Sequence, residues 1–142
     1  MLNDLFDMAR VVYEEDNSEL NYALKITKYV KEVVFYLPAE EALNDLYWNV
    51  LLWEAPNLFE SFLLYMEKNR PDDEKFYEPR INPLKKVVDA IQELADDLLD
   101  ELFINMPSRV GKTQIIKFAN VWWGSRNPEL SNLYTAYSDK IT

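Results

Sequence analysis

The chain has 142 residues and is 49% hydrophobic, so it can bury the core of an ordinary domain and does not have the composition of a disordered tail. It contains no cysteine and no histidine, which excludes disulfides, thiolate or histidine metal sites, and catalysis that relies on histidine. The net charge is −10, although the part from Phe103 onward has five basic and two acidic residues. The acidic front part is expected to repel nucleic acid, or simply to form a solvated helix surface.

No basic stretch followed by a long apolar run occurs at the N-terminal end, so the sequence predicts no signal peptide. No run of about 18 apolar residues occurs either, so no membrane span is expected. These features favour a soluble, cytoplasmic protein.

Residues 1–69 are predicted to form a helical N-terminal region. Apolar residues at helical spacing predict a first helix over 2–15, and a capping-box-like pair, Asp16 and Glu19, predicts a second. The second helix must end near Leu37, because Pro38 restricts the residue before it. Further helices are predicted after Pro38 and near Pro56, the last of them running to about Asn69.

Residues 70–83 hold three prolines and few aliphatic side chains, and they predict a connector. A strong helix is predicted from Pro83 to about Asp100. The chain has only two glycines, a scarcity that favours helices over a sheet with many tight turns.

The last part of the chain has a different sequence pattern, which predicts strands as well as a helix. Leu102–Met106 is a short apolar run suited to a strand, Lys112–Trp123 reads as a helix ended by Gly124, and Leu133–Tyr137 is a second strand candidate. Two parallel strands and one helix cannot bury both faces of a sheet, so either these strands pair with another chain or they belong to a longer protein, and the longer protein is the favoured interpretation. The predicted fold class is a mainly α N-terminal region leading into a truncated α/β P-loop NTPase core, with residues 84–142 as its start.

The predicted loop and helix start at Pro107–Thr113 form the most specific chemical motif in the sequence. Main-chain N–H groups at a helix N-terminus can converge on a phosphate, and glycine lets the backbone approach it closely. Gly111 would allow that approach, Lys112 would reach the β- and γ-phosphates, and Thr113 would offer its hydroxyl to Mg²⁺. The usual first glycine of such a loop is replaced by Met106, so an ordinary helix start with Lys112 in solvent is the alternative.

Arg109 lies inside this predicted loop, three residues before Lys112. A guanidinium there could contact the γ-phosphate and stabilise charge in the transition state. The alternative is an ordinary surface arginine.

The stretch from Ile104 to Thr113 resembles the deviant phosphate-binding loop of phage and prophage terminase large subunits. That family typically replaces the first glycine and places an arginine after a proline in the loop. The segments 61–70, 76–80, 123–128 and 134–138 are also similar to the family, and the similarity spans about Trp53–Thr142. Residues 1–52 show no such resemblance.

The resemblance implies an N-terminal fragment of an ATP-driven motor that packages double-stranded DNA into procapsids in the bacterial host cell. It implies ATP and Mg²⁺ as cofactors, Lys112 and Arg109 as catalytic residues, and Thr113 as the Mg²⁺ ligand. Nucleotide contacts are carried over to a set comprising Ser108, Val110, Gly111, Lys112, Thr113, Tyr77 and Arg80. For Tyr77 and Arg80, which would lie near the adenine or ribose, the alternative is a packed connector.

The implied partners are double-stranded DNA, the portal and the small terminase subunit, with self-association left open. The family's acidic Mg²⁺-binding pair, coupling motif and nuclease domain are expected beyond these residues, so the chain alone should bind nucleotide weakly and hydrolyse it inefficiently. Two other readings stay open: a helicase-like P-loop ATPase, and a non-catalytic, acidic helical interaction module in which the Gly111–Thr113 tripeptide is accidental.

Overall fold

The computed structural model describes residues 1–37, 40–106 and 112–126, and their regular structure is entirely helical. The six α-helices of these residues are α1 (Leu2–Glu15), α2 (Leu20–Tyr36), α3 (Glu41–Glu54), α4 (Phe59–Met66), α5 (Ile81–Ala95) and α6 (Lys112–Arg126). Short 3₁₀ turns occur at Asn17–Glu19, Asp72–Glu74 and Glu78–Arg80. The chain divides into two compact units, Met1–Glu54 and Ala55–Thr142. No helix among the described residues combines the length and the apolar character that crossing a bilayer requires.

The predicted α/β P-loop core is wrong, because the described residues contain no β-strand. The first predicted strand, Leu102–Met106, lies outside regular secondary structure. Its side chains alternate between the core and solvent: Leu102 and Ile104 are partly buried, whereas Phe103 is 90% exposed. Such alternation mimics a strand, but a strand also needs a hydrogen-bonded neighbour, and the described residues supply none. The second predicted strand, Leu133–Tyr137, lies outside the described residues.

The first unit contains α1, α2 and α3. Its core is formed by the buried residues Phe6, Val30, Leu46 and Val50. The predicted helix over 2–15 is confirmed, and the second helix ends at Tyr36, just before Leu37, as predicted. Its start differs from the predicted capping box, because Asp16 accepts the Ser18 N–H at 2.9 Å and caps a 3₁₀ turn that precedes α2.

A buried carboxylate joins α2 to α3 in this unit. Glu54 is 1% exposed, and its Oε1 lies 2.7 Å from the Lys31 Nζ. Its Oε2 accepts a hydrogen bond from the Thr27 hydroxyl at 2.8 Å. Both oxygens of this buried charge therefore have a partner on α2, as burial of an ion requires.

The second unit contains α4, α5 and α6 around one apolar core. Its buried members are Phe59, Leu63, Phe76, Tyr77, Leu84, Val88, Ile91, Ile115 and Trp122. Residues 55–69, predicted as the end of the N-terminal region, lie in this unit.

Helix α5 ends at Ala95, earlier than the predicted Asp100. The chain reverses at Asp97, which has φ 60°, and the Leu98 N–H donates to the Glu93 carbonyl at 2.9 Å. This is the hydrogen bond of a Schellman ending, in which glycine usually takes the left-handed position. Aspartate also tolerates that conformation, so the helix ends without the expected glycine.

Helix α6 begins at Lys112, as predicted, but continues to Arg126. Gly124 therefore lies within its last turn and does not end the helix as predicted.

Candidate functional site

The candidate site is the N-terminal end of α6. The predicted loop residues Ser108, Arg109, Val110 and Gly111 lie outside the described residues, as does the side chain of Lys112. The main chain becomes helical at Lys112, and Thr113 is exposed in the first turn. The first N–H groups of a helix have no partner within it, and the helix dipole places partial positive charge there. The described part of the site is therefore suited to an anion.

The charge on α6 strengthens this preference. The helix contains Lys112, Lys117 and Arg126 and no carboxylate, whereas each of the other helices in the described ranges contains at least one acidic residue. In a chain with a net charge of −10, α6 is thus a locally basic element. An approaching phosphate would meet no carboxylate on the helix itself.

Packing along one side fixes the direction of α6. Ile115 and Trp122, two turns apart, are buried, with 0% and 2% of their surface exposed. The Trp122 indole N–H donates to the Ala55 carbonyl at 2.7 Å, and its ring lies 5.1 Å from that of Phe59. A buried indole with a satisfied N–H is a strong anchor. The helix start is consequently held by contacts that lie further along the helix.

The connector is stacked against α6. The rings of Phe76 and Phe118 lie 5.3 Å apart and are almost parallel, at 4°. Phe118 is six residues after Lys112, which corresponds to about 9 Å along the helix axis. The structure therefore brings the Phe76–Arg80 segment, predicted to lie near the nucleotide, against the N-terminal half of α6.

Glu67 determines the shape of this segment. Its side chain is 1% exposed and accepts three main-chain N–H groups, from Phe76 at 3.1 Å, Tyr77 at 3.2 Å and Glu78 at 2.8 Å. A loop without regular secondary structure leaves such groups unpaired, and burying them unpaired costs free energy. Glu67 satisfies them with one carboxylate. Sequence reasoning missed this role, since Glu67 resembles any polar residue after an apolar helix.

Tyr77 and Arg80, the two predicted contacts of this segment, are placed differently. Tyr77 is completely buried, and its hydroxyl donates to the Glu60 Oε2 at 2.5 Å. Burial raises the pKa of the Tyr77 hydroxyl far above its ordinary value, and the hydrogen bond to Glu60 raises it further. Arg80 is exposed, and its Nη1 donates to the Phe76 carbonyl at 3.0 Å. Of the two, Arg80 is the residue that a solute can reach.

The described residues contain no group of three or more carboxylates that could hold a metal ion. Thr113 is the predicted metal ligand, and its exposure in the first turn of α6 leaves the hydroxyl accessible. Mg²⁺ commonly takes one or two protein ligands and completes its shell with substrate phosphates and water. One threonine ligand beside a triphosphate agrees with that coordination of Mg²⁺.

The chain matches no protein-family model, no curated protein and no solved structure. Function therefore rests on the residues themselves and on the geometry at the start of α6.

Proposed function

We propose that Pro107–Thr113 binds the triphosphate of ATP, and that the chain is part of a terminase large subunit, the motor that packages double-stranded DNA. The observation that carries the proposal is the start of α6 at Lys112, directly after Gly111. A phosphate-binding loop needs a glycine in the sequence directly before a helix start, because glycine permits close approach and the helix start supplies N–H groups. The basic character of α6 and its lack of carboxylates support the same conclusion.

Each residue of the loop has a distinct role in this proposal. The main-chain N–H groups of Ser108, Val110 and Gly111 bind phosphate oxygens, and the Lys112 amine reaches the β- and γ-phosphates. Arg109 stabilises the γ-phosphate. Thr113 would hold Mg²⁺, which would supply positive charge to the triphosphate.

The connector provides the side of the site that is near the base or ribose. Its support is the Phe76–Phe118 stack, which places the segment beside the helix that begins at Lys112. Arg80 makes the direct contact, since it is exposed and its guanidinium is held at the Phe76 carbonyl. Tyr77 acts from the core by supporting the segment, because its ring has no exposed surface for stacking.

The proposed partners come from the family resemblance: double-stranded DNA, the portal and the small terminase subunit. The uneven charge distribution supports a proposal in which the acidic front part does not contact DNA, because its carboxylates repel DNA phosphates.

Calorimetric titration with MgATP tests the proposal. Lys112→Ala should weaken binding at least about tenfold, because a charge-assisted contact to phosphate contributes about 1.5–3 kcal/mol. Lys117→Ala is the matched control, since it removes an equal charge from an exposed position on the same helix. Equal affinities for the wild type and Lys112→Ala would overturn the proposal.

A second function is favoured by the all-helical described fold: an acidic helical interaction module without nucleotide chemistry. The same titration separates the two. Absence of MgATP binding by the folded wild-type chain at the highest MgATP concentration of the titration selects the interaction module, because even the weak binding expected of this chain alone is then missing.

A further inference from the structure

Helix α2 has two apolar stripes, and only one of them is covered. Ala23, Thr27 and Val30 lie on the buried stripe, each with 0% of its surface exposed. The second stripe, here called the tyrosine seam, is offset from the first by about 100° around the helix. Its members are Tyr22, Ile26, Tyr29, Val33 and Tyr36.

The tyrosine seam has the spacing of a helix-pairing surface. Its residues follow one another at intervals of four, three, four and three, the repeat that keeps a stripe facing a partner helix. Tyr22, Tyr29 and Tyr36 are 51%, 52% and 83% exposed, whereas Ile26 and Val33 between them are partly buried. A row of three large exposed aromatic residues on one helix marks an interaction surface.

The two edges of the tyrosine seam differ. One edge is the buried stripe, whose residues carry no charge. The other edge carries Lys25 and Glu32, both exposed and, within the described residues, without an ion-pair partner. These charges lie one heptad apart, at the position that flanks the apolar seam of a paired helix.

This arrangement distinguishes between the two directions of helix pairing. In a parallel pair, the charged edge of one helix would meet the Ala23 and Val30 edge of the other, which offers no charge to Lys25 or Glu32. In an antiparallel pair, the charged edge meets its own copy. Lys25 of each helix then lies beside Glu32 of the other, and the twofold axis passes between positions 28 and 29.

We infer that the tyrosine seam binds a second copy of this chain, α2 against α2 in antiparallel orientation. The charge pattern identifies the occupant, since Lys25 and Glu32 complement each other twice under a twofold axis and thus form an isologous interface. This inference does not depend on the proposed nucleotide site.

Charge reversal tests the pairing by sedimentation equilibrium over a concentration series. The wild type should approach twice the chain mass of 16.8 kDa as concentration rises. Lys25→Glu alone and Glu32→Lys alone should each weaken association about tenfold, because two attractive pairs become repulsive. The double variant should restore it. Lys28→Glu is the matched control, as it makes the same charge change further from the tyrosine seam and should leave the dimer intact.

Cysteine cross-linking tests the direction, because the natural chain has no cysteine. Tyr29→Cys lies beside the twofold axis and should form a disulfide-linked dimer on oxidation. Tyr22→Cys should not, since its counterpart in the other copy would be about 20 Å away. A mixture of Tyr22→Cys and Tyr36→Cys chains should cross-link to each other.

Three results would overturn the inference. A monomer at every concentration would leave the tyrosine seam to a different protein. Failure of the double charge reversal to restore association would remove the reciprocal pairs. Cross-linking of Tyr22→Cys to itself would show parallel helices.

Discussion

Each unit of the molecule contains a fully buried glutamate that joins two segments, but the partners of the two carboxylates differ. Glu54, in the first unit, faces the Lys31 amine and the Thr27 hydroxyl of another helix. Glu67, in the second unit, faces three main-chain N–H groups of the connector. Glu54 therefore joins side chains across two helices, whereas Glu67 determines the path of a loop.

The difference shows which of the two buried carboxylates is connected to the candidate site. Removing the Lys31 or Thr27 side chain takes one partner from the Glu54 carboxylate but leaves both helices with their own backbone hydrogen bonds. Removing Glu67 deprives the Phe76–Glu78 backbone of its acceptors, and this segment is stacked on the helix that begins at Lys112. The second carboxylate is thus coupled to the candidate site, and the first is coupled to the α2–α3 contact.

Glu67→Ala should have the largest effect on stability. It leaves three N–H groups without an acceptor, and each such group costs about 1–3 kcal/mol when buried. The free energy of unfolding is therefore expected to fall by an amount on the order of 4 kcal/mol. Urea denaturation measures the loss, and hydrogen exchange should quicken at Phe76–Glu78. Glu67→Gln keeps one oxygen acceptor and should lose about half as much. A loss no greater than that of Glu74→Ala, a change to an exposed acid, would contradict this role.

Lys31→Ala should follow, with a loss of about 3 kcal/mol in the free energy of unfolding, because it removes the amine that faces the buried Glu54 carboxylate. Replacing the pair together, Lys31→Met with Glu54→Leu, should cost less than Lys31→Ala alone, since no charge is then left uncompensated. Thermal unfolding of the three proteins provides the comparison. A pair replacement that is as damaging as the single change would show that the ion pair itself is strongly stabilising.

The smallest predicted effect is a loss of the free energy of unfolding at alkaline pH, caused by Tyr77 in the second unit. The pKa of Tyr77 is raised in the folded protein by burial and by the hydrogen bond to Glu60, so the unfolded chain loses this proton first. The associated stability is fully present below about pH 10 and is lost as pH rises above it, by at most about 1.4 kcal/mol per pH unit. Tyr77→Phe should unfold with a correspondingly weaker dependence on pH above 10. Identical slopes for the two proteins in urea denaturation would contradict the raised pKa.

The sequence predicted the helices best where the apolar spacing is local. Leu2–Glu15 and the end of α2 before Pro38 follow from periodicity and from proline, both of which act within a few residues. The start of α6 at Lys112 follows from the same kind of local pattern. The end of α5 could not be predicted from a local pattern, because Asp97 takes a left-handed conformation that is usually taken by glycine.

The remaining features depend on residues that are distant in sequence. Leu102–Met106 alternates like a strand, but the pattern cannot show whether another segment will pair with it. Glu67 and Glu54 look like solvated acids until their partners, nine or more residues away, are placed beside them. The tyrosine residue proposed near the nucleotide was likewise identified by resemblance, whereas the fold buries Tyr77 in the core.

The most direct test of the central claim is an amide NMR titration of the isotopically labelled chain with MgATP and, separately, with AMP. Binding of the triphosphate at the start of α6 predicts that MgATP shifts the amide resonances of Gly111, Lys112 and Thr113 more than those of α1, and that AMP leaves them nearly unchanged. Resonances of Gly111–Thr113 that stay in place at saturating MgATP, or that shift equally with AMP, would contradict the account.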